Sequence, residues 1–83
     1  MFKCIVIDDA PLALEKLKLF VFRVSGLQMV NTFTNPIEAL DYLILQETDL
    51  IFLDIQMEEF SGIEFLKSLK VRLHVIITSA YKE

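Results

Sequence analysis

Residues 2–9 read Phe2-Lys3-Cys4-Ile5-Val6-Ile7-Asp8-Asp9. Four apolar residues in unbroken succession, Cys4 to Ile7, fit a strand buried on both faces better than a half-exposed one. Two adjacent acids close it. The same grammar returns at Leu50-Ile51-Phe52-Leu53-Asp54, a continuous apolar run too short for a helix and again closed by an acid. Two buried strands that each end in aspartate decide the fold, and the remaining segments fall into place around them.

A helical pattern runs from about Pro11 to Val24, with Leu14, Leu17, Val21 and Val24 on one stripe and Glu15, Lys16, Lys18 and Arg23 off it. Asp9 is placed to cap its start and Gly26 to stop it. Leu27 to Phe33 reads as a second strand. Asn35-Pro36-Ile37-Glu38 then supplies an N-cap, a proline at the first helical position and a capping-box acid, and Ile37, Leu40, Leu43 and Ile44 are the expected buried face. Ser61-Gly62-Ile63-Glu64 repeats the capping-box spacing, with Ile63, Leu66 and Leu69 as the stripe. His74 to Thr78, HVIIT, reads as another buried strand.

The order is β-α-β-α-β-α-β, which implies a parallel sheet covered by helices on both faces with right-handed crossovers. The fold class is α/β, a doubly wound parallel sheet. Strand 1 lies inside, strand 2 on one side, strands 3 and 4 on the other, in the spatial order 2-1-3-4. The crossover direction reverses between strands 1 and 3, and such a reversal opens a ligand-binding crevice at the carboxyl ends. No repeat, low-complexity stretch or linker divides the 83 residues, so they form one unit.

Composition narrows the function. Hydrophobic residues make up 54% of the chain, with only two glycines and two prolines, which excludes a disordered tail or a collagen-like chain. Mean hydropathy is +0.51, high for a chain this short. Eight basic against twelve acidic residues give a net charge of −4, which argues against gripping nucleic acid or an anionic membrane by charge. Charges interrupt every apolar run before membrane-spanning length. The single Cys4 forms no internal disulfide, sits in a buried run and suits a reducing, cytoplasmic setting.

Asp8 and Asp9 close strand 1 and Asp54 closes strand 3, the two strands that flank the expected crevice. Taken singly, each acid is better read as a helix cap or a loop start. Three at one switch point favour a site. Clustered carboxylates repel, so a proton or a cation must neutralise them. An oxygen-only set without His or Cys suits a hard cation, Mg²⁺ or Mn²⁺, rather than Zn²⁺. A carboxylate beside such a metal can accept a phosphoryl group as an acyl phosphate. A hydroxyl ending strand 4, Thr78 or Ser79, would lie on the far side of strand 3 and could bind a phosphoryl oxygen. For Thr78 the plainer reading is a satisfied strand end.

Ile7-Asp8-Asp9-Ala10-Pro11, then Leu53-Asp54-Ile55-Gln56-Met57 with Gly62 eight places after Asp54, then Thr78-Ser79-Ala80, together resemble a bacterial response-regulator receiver domain. The resemblance runs the length of the chain, and its flavodoxin-like strand order, 2-1-3-4-5, begins with the order inferred above, so the two are not independent. It implies that Asp54 is the phosphoacceptor, taking its phosphoryl group from a sensor histidine kinase or a small phosphodonor such as acetyl phosphate. It implies Mg²⁺ as cofactor, held by Asp9, Asp54 and the backbone carbonyl of Gln56, with Asp8 acting mainly through water. It makes Ser79 the switch hydroxyl and the Ala80 amide a phosphoryl donor, and it puts Gln56 and Tyr81 where the phosphorylated lifetime is tuned. The wording DDAPLALEKL and VIITSAYKE is most similar to receivers joined to LytTR-type DNA-binding domains, so DNA would be met only through a C-terminal domain absent from this chain.

The sequence departs from that pattern in three places. Glu58 follows Met57 where the family usually has proline, and Ala10 stands where an acid is frequent. The chain also reads as a truncated receiver, residues 1–83 supplying four strands and three helices and lacking helix 4, strand 5, helix 5, the strand-5 lysine and the switch aromatic. Lys82 does not stand where that lysine would. Inefficient phosphorylation and an exposed apolar edge on strand 4 are the expected results, the latter inviting a homodimer or domain swap. Phe20, Phe22, Phe33, Phe52, Phe60 and Phe65 read as core or covered helix surface, with Leu19 and Phe22 off the main stripe as a partner surface. His74 lacks a metal-ligand spacing, and Met57 packs the loop. Two other functions remain open at this point. One is a Mg²⁺-dependent aspartyl-phosphate phosphatase or phosphotransferase, whose usual second acid two places after the nucleophile is here Gln56. The other is a non-switching interaction module.

Overall fold

The computed structural model describes residues 1–55, 57, 61–69 and 71–78. Four strands, β1 (Phe2–Ile7), β2 (Leu27–Phe33), β3 (Leu50–Leu53) and β4 (His74–Ile77), alternate with three helices, α1 (Pro11–Arg23), α2 (Pro36–Leu45) and α3 (Gly62–Ser68). The sheet is parallel throughout and ordered β2-β1-β3-β4. None of the described helices is long and apolar enough to cross a membrane.

Strand alternation divides the core into two layers. Ile5 and Ile7 of β1 join Ile51 and Leu53 of β3, Ala39 and Leu43 of α2, Phe65 of α3 and Met57 on one face. Cys4 and Val6 of β1 join Phe52 of β3 and Leu14 and Val21 of α1 on the other. A strand fully buried on both sides needs an apolar residue at every position, and Cys4 to Ile7 are each 0% exposed. Burial also pushes the Cys4 thiol above its usual range, as expected of an inert core cysteine. The pairing of β1 with β2 shifts between Cys4 and Ile5, where Met29 and Asn31 are the successive partners and Val30 is passed over. At the amino end Asp49 clasps β1 to β3: its Oδ2 accepts from Lys3 N and its own N–H donates to Lys3 O, both at 2.8 Å.

The helix ends follow local chemistry, with one correction. Asn35 caps α2 by accepting from Ile37 N at 2.8 Å, one position short of the bond a capping box requires. Ser61 and Glu64 close a reciprocal box on α3. Asp9 does not cap α1. The N-cap is Ala10, without a side-chain bond, and Asp8 instead accepts from Ala10 N at 2.9 Å. Gly26, with φ +94°, forms the turn after α1, where its carbonyl accepts from Phe2 N at 2.7 Å.

Three expected apolar faces are revised. In α2 the buried residues are Pro36, Ala39 and Leu43, while Ile37 and Ile44 face outward. In α3 the core residue is Phe65, and Ile63 is exposed. The seven-residue α3 makes only two turns, so the widest side chain aimed at the sheet sets its rotation. In β4 only Val75 packs against the core, and Ile76 and Ile77 are each 44% exposed, so β4 is an edge strand rather than a buried one. Phe52 and Phe65 are core and Phe33 tilts against Tyr42 with ring centroids 5.3 Å apart, but Phe20 and Phe22 are exposed along with Leu19. Phe60 lies outside the described residues.

Gly62 begins α3 against the loop after β3. A Cβ there would stand 2.6 Å from Ile55 Cα and 3.0 Å from Asp54 O. Both neighbours are backbone and cannot rotate away. Gly62→Ala should therefore cost about 1–3 kcal/mol, as overpacking does, read as a lower urea midpoint at unchanged slope. Phe65→Ala should cost about 3–5 kcal/mol, a large share of the stability of a small domain. A Phe65→Ala midpoint within error of wild type would show that α3 does not hold the core.

Candidate metal centre

The carboxyl ends of the strands form a row held by backbone bonds. Asp8 N donates to Phe33 O at 3.0 Å, Asp54 N to Ile7 O at 3.0 Å and Thr78 N to Leu53 O at 2.8 Å. Each donor is the first residue past its own strand, and each acceptor is the last residue of the strand beside it. The strands that alternate apolar side chains between two core layers thus deliver Asp8 and Asp54 side by side, where the sheet ends and the helices begin.

Asp8, Asp9 and Asp54 each present a carboxylate oxygen, and the three oxygens lie within 4.8 Å of one another. Asp8 and Asp54 are buried, at 2% and 4% exposure, and Asp9 is half-buried. Burial holds the Asp8 carboxyl above the ordinary carboxylate range. The Ala10 N–H bond opposes this, while the charges of Asp54 and Asp9 and a hydrogen bond with the Asp54 side chain reinforce it. The bond from Ala10 N therefore offsets only part of the cost of burying this carboxyl beside two others.

The donor set fits a hard divalent cation. Oxygens sharing one Mg²⁺ at its usual bond length of about 2.1 Å stand about 3–4 Å apart. The observed spread is only slightly wider and within reach of carboxylate rotation. His74, the chain's one histidine, sits on β4 at the opposite, amino end of the sheet and is exposed. Cys4 is sealed in the core, so no soft ligand competes among the described residues.

Of the residues singled out in the sequence, the structure brings Asp8, Asp9 and Asp54 together at the crevice between β1 and β3. Gln56, Ser79, Ala80 and Tyr81 lie outside the described residues, as do Glu58 and Lys82. Met57 is 7% exposed and packs in the core layer with Leu53 and Phe65. Two features were not legible beforehand. One is the contact of Gly62 with the Asp54 carbonyl; the eight-residue spacing was the only signal for it. The other is Thr78, whose Oγ1 is buried without a hydrogen-bond partner. It is not the satisfied strand end that its sequence suggests.

Known proteins are similar to this chain in sequence and in fold. The chain is 33% identical over 85 residues to the transcriptional regulatory protein BtsR of Shigella flexneri, with all of this chain and 36% of BtsR covered. It is 33% identical over 82 residues to the sensory transduction protein LytR of Staphylococcus haemolyticus, covering 95% of this chain and 32% of LytR. It therefore spans about a third of the length of these curated relatives. The crystal structure of the response regulator domain of Thermotoga maritima CheB superposes with a TM-score of 0.87 at 28% identity, covering 95% of this chain and 60% of that one. Residues 4–83 match the family profile described as the response regulator receiver domain, and with the sheet order in agreement, the chain belongs to the response-regulator receiver domain family.

Proposed function

We propose that this chain is the phosphoacceptor module of a two-component signalling system, with Asp54 as the acceptor. Asp8, Asp9 and Asp54 would hold Mg²⁺ together with the Gln56 carbonyl. The observation that carries this reading is the meeting of three carboxylates, two of them buried, at the crevice of a receiver fold.

In the transfer, an Asp54 carboxylate oxygen attacks phosphorus in line. An O–P bond forms as the donor's P–N bond breaks in a phosphohistidine, or its P–O bond in acetyl phosphate. The imidazole leaves and takes up a proton, or acetate leaves as the anion. Bound Mg²⁺ supplies neutralisation of the transferring oxygens. The backbone at Asp54 is held by its own N–H bond to Ile7 O and, one residue on, by the bond from Gly62 N to Ile55 O at 3.0 Å. Ser79 and the Ala80 amide, two and three positions after the end of β4 in the sequence, are the proposed ligands for a phosphoryl oxygen. The phosphoryl group stays on Asp54 as a signal, so the module is a switch and not a turnover enzyme. The histidine kinase as donor, a cytoplasmic setting and transcription as the output, through a DNA-binding domain beyond these residues, belong to the same reading; a relative described as a transcriptional regulatory protein and another described as a sensory transduction protein support it.

Incubation of the chain with Mg²⁺ and acetyl phosphate should add the mass of one phosphoryl group, absent in Asp54→Asn. Mg²⁺ affinity should fall at least tenfold in Asp9→Asn. Rapid multiple turnover of acetyl phosphate would identify an aspartyl-phosphate enzyme instead. A folded chain that neither binds Mg²⁺ nor is modified would leave only an interaction module.

Asp8 gives a second prediction. A carboxyl whose folded pKa is raised opposes folding once it ionises. That cost is absent below the unfolded value of about 3.9 and is complete above the folded value. Asp8→Asn should therefore unfold at a higher temperature than wild type in metal-free buffer at pH 7, and the advantage should vanish as pH falls below about 4. In saturating Mg²⁺ the advantage should shrink or reverse, because wild type gains binding energy that the variant lacks. A lower melting temperature for Asp8→Asn in metal-free buffer at neutral pH would contradict the assignment of the cost to this carboxyl.

A further inference from the structure

The two outer strands of the sheet are unlike. β2, at one end of the order β2-β1-β3-β4, pairs with β1 through a register shift between Cys4 and Ile5. It carries the polar residues Gln28, Asn31 and Thr32, and Asn31 Oδ1 accepts from Thr32 N at 2.8 Å. Irregular pairing, polar side chains and an amide already taken all close an edge to further strands. β4, at the other end, has none of these devices. Its register with β3 is unbroken from His74 to Ile77. It contains no Lys, Arg, Asp, Glu or Pro, and Ile76 and Ile77 are each 44% exposed.

The ladder fixes which backbone groups β4 offers. His74 N donates to Asp49 O at 3.1 Å and Thr78 N to Leu53 O at 2.8 Å. Successive residues of a strand turn their N–H and C=O to opposite sides. His74, Ile76 and Thr78 therefore face β3, while Val75 and Ile77 face away from it. Among the described residues no strand lies on that outer side. The segment is also symmetric in polarity. His74-Val75-Ile76-Ile77-Thr78 places three apolar residues between two polar ones, with Ile76 at the middle.

We propose that β4 is a self-association edge, on which a second copy of this chain lays its own β4 antiparallel about a two-fold axis at Ile76. Such an axis runs perpendicular to the sheet, so each copy keeps its faces and residues that stand opposite share parity. Centred on Ile76, Val75 stands opposite the partner's Ile77, and Ile77 opposite the partner's Val75. These are the residues whose backbone groups face outward, so each pair exchanges two bonds, about four in all. Ile76 meets the partner's Ile76 in the pair between them, where side chains approach most closely. His74 falls opposite the partner's Thr78 at each end. Two four-stranded sheets become one, and the contact closes at two copies because β2 is blunted. Each copy carries a net charge of −4, none of it from acids in β4, so added salt strengthens the pairing by screening charges away from the seam.

The seam is short beside a standard interface of about 1,600 Å², so the test spans weak association. Sedimentation of the chain from about 10 μM to about 1 mM should show a monomer–dimer equilibrium. Over that range the Val75 and Ile77 amides of wild type should become at least about tenfold slower to exchange hydrogen. Ile76→Lys and Ile76→Glu should each be monomeric, because like charges meet at the axis, and an equal mixture of the two should dimerise. Ile77→Pro removes an outward N–H and leaves the β3 ladder intact; it should be monomeric with an unchanged circular dichroism spectrum. A wild type that stays monomeric, or that grows into open-ended species, would overturn the inference. Dimers of all three variants would do so as well, by moving the contact to another face, such as the exposed Leu12, Leu19 and Phe22 of α1. Charged variants that remain monomeric when mixed would remove Ile76 from the axis and overturn it too. Should a variant fail to fold, the wild-type exchange result decides alone. Each of these outcomes leaves the role of Asp54 untouched.

Discussion

Asp54 N donates to Ile7 O just beyond the last pair of β1 and β3, at the end of a register that runs from Cys4 with Leu50 to Ile7 with Leu53. Everything else in the molecule depends on that register. Side chains alternate with a period of two, so a slip of one residue would carry every side chain of β3 to the other face. Phe52 would leave the layer under α1, and Ile51 and Leu53 would leave the layer under α2 and α3. The same slip would remove Asp54 from the side of Asp8. Packing on both faces and the acid site are therefore set by one alignment, and Asp49 secures it from the other end through paired bonds to the Lys3 backbone.

At the carboxyl ends the protein accepts local costs that packing alone would avoid. Asp8 is buried next to two other acids and holds its proton more tightly than an ordinary carboxyl. Thr78 keeps a hydroxyl without a partner. Gly62 forgoes a side chain because α3 starts in contact with the backbone after Asp54. The three features converge on Asp54 from β1, β4 and α3. Elsewhere the described core is apolar and conventionally filled, with Ile5, Ile7, Ile51, Leu53 and Phe65 all at 0% exposure. Departures from good packing confined to one place are the pattern expected where structure serves a site.

The strands and the acids were legible in the sequence because both rest on short-range signals. An unbroken apolar run closed by aspartate needs no knowledge of the rest of the chain to be read as a buried strand with an acid at its end. The helix faces were less legible. Ile37 and Ile44 belong to the apolar stripe of α2 by spacing, yet Ala39 and Pro36 are buried and the isoleucines are exposed. Hydrophobicity does not fix the rotation of a helix whose apolar residues spread over more than one face; the partner it meets does. In α3 the large ring of Phe65 takes the core position that spacing gave to Ile63. Asp9 resembled a cap for α1, but α1 starts one residue later, with Ala10 as its N-cap, and Asp8 accepts the bond from Ala10 N.

By itself the sequence determined the element order, the doubly wound arrangement and the identity of the three acids, because alternation of buried strands with helices allows few topologies and a crossover reversal has a fixed place in them. Only the tertiary structure decided that those acids share a space narrow enough for one cation, that burial raises the proton affinity of Asp8, and that Gly62 and Thr78 bear on the same residue. Those properties are distances and exposures between residues 8 to 46 apart in the chain, from Asp54 to Gly62 and from Asp8 to Asp54. Such quantities exist only once the parallel ladder has aligned the strand ends.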